Sequence, residues 1–398
     1  MKKFLLSGLL CVLVILTHAQ TGKQVADSNN MFAFEFYKHV DAGKNNVFYS
    51  PFSITTAMAM AQTGARNETY RQIGHVMHFN TLPKRFMGGI ETLVNAVESD
   101  TLTDTANHVV INLANSIWLG DSLKVKQTYA DLMTNIYHAT STKVSFADTN
   151  TRNIINNWVE GKTNGKIKNL IQQGILNPST RMVLVNAIYF NARWQTPFPK
   201  EFTLQKSFYI SKHDSVMADM MHITNSYLYY EDENLQAVQM PYKGNSLSMI
   251  VLLPKGVKAG FDKMESLLDE KYYNKILDSM STKKVKLSLP KFKTTDEFQL
   301  KDVLSKMGMP IPFTPNADFS SLTDESLCID KVIHKAFIDV TESGTEAAAA
   351  TAIIIHPSMI VSPKSLIMFN ANHPFVFVIR DNDTGCILFM GKIMNPLQ

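Results

Sequence analysis

The chain holds 398 residues, 45% hydrophobic and 19% charged, a balance that makes it globular with ample length for a core. Its formal charge is +4, of which Lys2 and Lys3 supply two units, too little to argue for nucleic acid. No long Pro/Gly/Ser linker, tandem repeat or low-complexity tract divides it.

Residues 1–19 read as a secretory signal peptide. Lys2 and Lys3 form a positive start, residues 4–16 are almost wholly apolar, and Thr17-His-Ala19 places small residues where cleavage requires them, leaving Gln20 first. The apolar run is too short to span a membrane well. Lipid attachment at Cys11 is disfavoured by Leu10 before it and by the apolar run beyond it. A secreted protein, extracellular or periplasmic, is the expectation, with no membrane partner. The Lys-Lys start and the Ala-Gln junction favour a bacterial source, in which the sequons Asn67-Glu-Thr69 and Asn382-Asp-Thr384 would mean little.

Further along, His75-x-x-His78 has metal-like spacing but lacks the glutamate and third ligand of a zinc site, and predicts a helix face instead. Gly161-Lys-Thr163 imitates the end of a phosphate-binding loop, yet Asn156 stands where that pattern needs glycine. A turn is expected there. Gly244-Asn-Ser-Leu-Ser248 fails the nucleophile-elbow pattern at its last position. Neither an enzyme constellation, nor a metal site, nor a cofactor is expected. Past the leader the cysteines are Cys328 and Cys386, whose apolar surroundings predict two buried free thiols.

Glu342-Ser-Gly-Thr-Glu-Ala-Ala-Ala-Ala-Thr-Ala352 fits no ordinary core element. It has no helical apolar stripe, and although alanine favours helix, the run continues into Ile353-Ile354-Ile355, which favours strand. Proline is absent from Val340 to His356, so every residue could donate to a sheet ladder. Thr345, Ala347, Ala349, Thr351, Ile353 and Ile355 alternate, are small or apolar, and would share one strand face. The segment suits a loop that can become a buried central strand; a small-residue helix or a linker is the blander reading.

With its neighbours this segment resembles the hinge of the reactive loop of a serpin. Glu342, Gly344, Thr345, Glu346, Ala347, Ala348, Ala349, Ala350 and Thr351 match the hinge without departure. Asn372-His-Pro-Phe-Val-Phe and Phe389-Met-Gly-Lys-Ile-Met-Asn-Pro396 resemble the closing strands of that family. Upstream, Asn46-Val-Phe-Tyr-Ser-Pro-Phe-Ser-Ile54, Gly64–Ile73, Ile155-Asn-Asn-Trp-Val, Thr163-Asn-Gly-Lys-Ile167, Leu184-Val-Asn-Ala-Ile-Tyr-Phe190, Trp194, Phe198, Leu289-Pro-Lys-Phe292 and His334-Lys335 appear in family order.

The resemblance implies an α+β serpin fold over 20–398 as a single domain, with three β-sheets, about nine helices and an exposed reactive loop at about 342–365. It implies no catalysis of its own but suicide-substrate inhibition of serine, or cysteine, endopeptidases: the protease acylates itself on the loop, and the cut loop enters the large sheet as a new strand. A non-inhibitory carrier or chaperone is the alternative, although such members often carry charged or bulky hinges. Ser50, Ser53, Asn186 and His334 would gather beneath the sheet as its shutter, and Trp194 would stand where the loop first enters, near Glu342. Counting about sixteen places from Glu342 sets the scissile bond at Ser358-Met359, with Met359-Ile360 the alternative. Pro357-Ser-Met would suit elastase-, subtilisin- or chymotrypsin-like targets. Residues 84–100 hold only Lys84 and Arg85 as bases, so heparin is not expected, and the protein is expected to be monomeric.

Overall fold

The computed structural model describes residues 22–40, 43, 45–79, 83–102, 109–345 and 366–398. Its helices are α1 (22–39), α2 (Pro51–Gly64), α3 (Asn67–Val76), α4 (Pro83–Leu102), α5 (Gln127–Asn135), α6 (Thr151–Lys162), α7 (Lys258–Leu267), α8 (Glu270–Asp278) and α9 (Leu300–Lys306). The strands run β1 (Val47–Tyr49), β2 (Val110–Gly120), β3 (Thr140–Val144), β4 (Met182–Arg193), β5 (Leu204–Tyr209), β6 (Ser215–Glu231), β7 (Leu235–Pro241) and β8 (Leu247–Pro254). They continue as β9 (Ser281–Pro290), β10 (Phe292–Gln299), β11 (Lys331–Thr341), β12 (Gly344–Thr345), β13 (Ile367–Asn370), β14 (Phe375–Asp381) and β15 (Ile387–Ile393).

Six strands form one sheet in the order β10-β11-β12-β4-β2-β3. Its middle strand β4 reads as an almost unbroken apolar run, the pattern of a strand covered on both faces. Its side chains divide by parity: Leu184, Ile188 and Phe190 face the main core, while Val183, Val185, Ala187 and Tyr189 join a second cluster with Ile155 and Val159 of α6. The other nine strands form one hydrogen-bonded network, β1-β15-β14-β8-β7-β6-β9-β13, with β5 on β6. The 17-residue β6 makes this one network rather than two sheets: it pairs with β5 and β9 along most of its length and with β7 at its end.

The sheets enclose α2, which packs against β2, β4 and β15. Pro51 fits the first turn, where its missing N–H leaves nothing unsatisfied, and the Ser50 side chain caps the helix by accepting from Ser53 N–H at 3.1 Å. Ser50 is therefore the N-cap of this helix. Nearly every residue of α2 is buried, its polar Ser53, Thr55, Thr56 and Gln62 included.

Two expectations are corrected. His75 and His78 do not share a helix face, because α3 ends at Val76 and His78, at φ 56, turns its ring to Glu35 at 2.9 Å. Cys386 is buried, but Cys328 is only partly so; both are free, and burial pushes both thiols up. The turn after α6 has the expected form, with Asn164 and Gly165 at positive φ.

Candidate functional site

The site begins where β11 ends. Glu342 and Ser343 reverse the chain, and Gly344-Thr345 then lies between β11 and β4 as β12. Thr345 stands opposite Val340 on one side and Ala192 on the other, and Gly344 opposite Thr341 and Arg193. Farther down, β11 and β4 pair directly and in parallel, Lys331–Phe337 against Val183–Tyr189. The sheet is thus parted at its head and closed along its body. The start of the expected exposed loop is not exposed, for Glu342 is 7% and Thr345 0% accessible. Glycine is required at 344, since at φ +148 a Cβ would fall 2.1 Å from the Ala192 carbonyl oxygen.

Side chains from four segments hold the reversal. Trp194 donates through its backbone N–H to Ser343 O and through Nε1 to Thr341 O, each at 3.0 Å. Phe198 N–H donates to Glu342 O at 2.9 Å. The Glu342 carboxylate accepts from Thr203 Oγ1 at 2.9 Å and pairs with Lys291 Nζ at 3.3 Å. Burial works to raise that carboxyl pKa, but its own backbone N–H, Thr203 and Lys291 outweigh burial and hold it below the ordinary range. Thr345 Oγ1 shares a hydrogen bond with Tyr242 OH at 2.8 Å, and Tyr242 stacks on Trp194 with centroids 4.5 Å apart.

Beneath the closed part runs a polar row. His334 of β11 and Asn186 of β4 are register partners, and Asn186 is in turn opposite Asn115 of β2. Ser50 N–H donates to His334 Nε2 at 3.0 Å. A backbone N–H can only donate, so Nε2 is bare and the proton sits on Nδ1, which donates to Asn186 Oδ1 at 2.5 Å. Asn186 Nδ2 donates to Ser53 O at 2.7 Å and to Asn115 Oδ1 at 2.5 Å. Ser53 Oγ lies 3.5 Å from Asn115 Oδ1, and Ser50 Oγ donates to Leu388 O at 2.6 Å. Burial pushes the His334 pKa down to about 3, so the ring is neutral. Three adjacent strands are thereby pinned to each other and to α2. A strand entering between β4 and β11 must break the His334–Asn186 bond.

A family model, Serpin (serine protease inhibitor), matches residues 27–396. The chain belongs to the serpin family. Its relatives include an uncharacterized serpin-like protein of Thermococcus kodakarensis, 38% identical over 94% of this chain and 86% of the relative. Human serpin B4 is 37% identical over 94% of this chain and 99% of its own. Among solved structures, human thyroxine-binding globulin in complex with thyroxine aligns with a TM-score of 0.84 at 29% identity, covering 95% of this serpin and 100% of that chain. Serpin48 of the insect Tenebrio molitor aligns at 0.82 and 32%, covering 94% and 98%, and uncleaved ovalbumin at 0.83 and 27%, covering 94% and 100%. Members of the family are mostly inhibitors rather than enzymes.

The structure gathers Ser50, Ser53, Asn186 and His334 in one place, and Trp194, Glu342, Gly344 and Thr345 in another. Glu346, Ala347, Ala348, Ala349, Ala350, Thr351, Ser358 and Met359 lie outside the described residues, as do residues 1–21. Sequence reading missed Asn115, Tyr242, Thr203 and Lys291. An amide inside the apolar run Ile111-Asn-Leu-Ala-Asn115 was a usable signal for the first, because buried amides need partners. The other three are ordinary until the fold brings them to Glu342 and Thr345.

Proposed function

We propose that this serpin is a suicide-substrate inhibitor of serine endopeptidases with small or apolar primary specificity, elastase-, subtilisin- or chymotrypsin-like. The observation that carries the reading is β12, which stands between β11 and β4 with Thr345 buried on the Trp194–Tyr242 side. Continuing that strand downward puts Ala347, Ala349, Thr351, Ile353 and Ile355 on the same inward face, none of them charged. A charge there would be buried without a partner and would stop insertion. A strand of about 15 residues would carry a tethered protease on the order of 50 Å.

Ser358-Met359 is the proposed scissile bond and Met359-Ile360 the alternative. The chain is taken to act as one domain, exported after removal of 1–19. Incubation with a protease panel tests the reading: a denaturant-resistant inhibitor–protease band should form, with a released fragment beginning at Met359 or Ile360. If every active protease cuts the loop and stays active, the carrier reading replaces this one. That second reading rests on the fold shared with thyroxine-binding globulin.

A further inference from the structure

A second polar row crosses the nine-stranded network. His222 of β6 stands opposite Ser288 of β9, and Ser288 opposite Asn370 of β13. Cross-strand partners share a face of the sheet. Ser288 is only 6% exposed, yet its Oγ has no hydrogen-bond partner, and neither has the buried Nε2 of His222. Unsatisfied buried polar atoms of this kind are costly, and two on neighbouring strands ask for a ligand.

The charge around them has one sign. Lys286 stands one step along the same face of β9, opposite Thr224, and Lys206 of β5 stands opposite Ala218 on the same face of β6. Both lysines are exposed, and among the described residues neither is in an ion pair. Burial and these two charges hold the His222 imidazole below its ordinary pKa. The even-numbered positions sharing this face are 204–208 of β5, 216–226 of β6, 284–290 of β9 and 368–370 of β13, and they contain a third lysine, Lys284, but no acid. Asp219, with the opposite parity, faces away.

We propose that this niche binds a single phosphate- or sulfate-type oxyanion, held by Lys206, Lys286, the Ser288 hydroxyl and the His222 imidazole. A tetrahedral oxyanion accepts from several directions at once, matching two ammonium groups, a hydroxyl and a ring nitrogen better than a planar carboxylate does. Its place gives it a consequence. Among the described residues β13 is the edge strand of its sheet; it follows 346–365 and pairs with β9 over only four residues, Ile367–Asn370, so an anion on Ser288 would brace the anchor of the bait segment.

The test follows the His222 ring proton by NMR, assigned with His222→Gln, during addition of sodium phosphate, sodium sulfate or glycerol 3-phosphate at ionic strength fixed with sodium chloride. Saturable shifts are expected at pH 6, with the His222 pKa raised by the anion. Affinity should be at least tenfold weaker in Lys206→Gln/Lys286→Gln and several-fold weaker in Ser288→Ala. Equal binding of inorganic phosphate and the ester supports a free-anion site, and preference for glycerol 3-phosphate supports an ester site. Shifts no larger than those with chloride overturn the proposal, as does undiminished binding in a double-lysine variant whose anion-free thermal midpoint is unchanged.

Discussion

Neutral His334 is central to the row under the sheet, and its titration carries a sign that can be measured. Its pKa is about 3 in the folded chain against an ordinary value of 6.5. The unfolded chain therefore binds the extra proton first, so the contribution of His334 is complete above pH 6.5 and is lost as pH falls towards 3. Protonated Nε2 would confront the Ser50 N–H, donor against donor. Asp296 acts the other way. It accepts from Phe48 N–H at 2.6 Å, and burial raises its pKa from 3.8 to about 6, so its contribution is present at acid pH and lost as pH rises through 6. The two partly offset each other between pH 4 and 6.5. Asp296→Asn, which keeps an acceptor for Phe48, should raise stability at pH 7.5 by about 1 kcal/mol and steepen the acid loss. Urea midpoints across that pH range check both effects, and a variant parallel to the parent at every pH would contradict the assignment.

At the scale of elements, the two-residue β12 decides how the hinge starts. Gly344→Ala would drive a Cβ into the Ala192 carbonyl and cannot keep its place opposite Arg193, so the hinge should leave the sheet, Trp194 fluorescence should change, and several-fold more inhibitor should be consumed per protease trapped. Unaltered fluorescence and stoichiometry would show that the pairing is dispensable. Thr345→Arg should go further, with loop cleavage continuing while the covalent band falls below about a tenth of its parent value, because an arginine beside Tyr242 is buried without a partner. Thr345→Val, which gives up one hydrogen bond at a cost of about 1 kcal/mol, should still trap protease. The hinge face was legible in the sequence because strand parity is a local property: Thr345 to Ile355 alternates whatever surrounds it. The native position of β12 was not, since Thr203, Tyr242 and Lys291 are distant in the chain and meet Glu342 and Thr345 only through the fold. Asn115 lies between these cases, a polar residue in an apolar strand whose partner is set by register with Asn186. The niche at His222 and Ser288 left no sequence signal, because adjacency across β6 and β9 is likewise a matter of register.

For the molecule as a whole, the closed body of the six-stranded sheet holds a parallel ladder from Lys331–Phe337 to Val183–Tyr189. Inserting the cleaved loop there would exchange that one ladder for two antiparallel ladders, one on each side of the new strand. The added backbone hydrogen bonds and the burial of Ile353 and Ile355 favour insertion, while the lost His334–Asn186 bond and the ordering of the loop oppose it. In the proposed mechanism the uncut segment is held by the chain at both ends, and cleavage would free the hinge end to follow Thr345 inward. Nicking near Ser358 should raise the thermal midpoint, by about 1 °C for each kcal/mol gained at an unfolding entropy of about 2.1 cal/mol/K per residue. Differential scanning calorimetry on intact and nicked protein, with the cut confirmed by mass spectrometry, measures it. A midpoint unchanged or lowered by the cut would mean that the cleaved segment stays outside the sheet, and the trapping mechanism would fall with it.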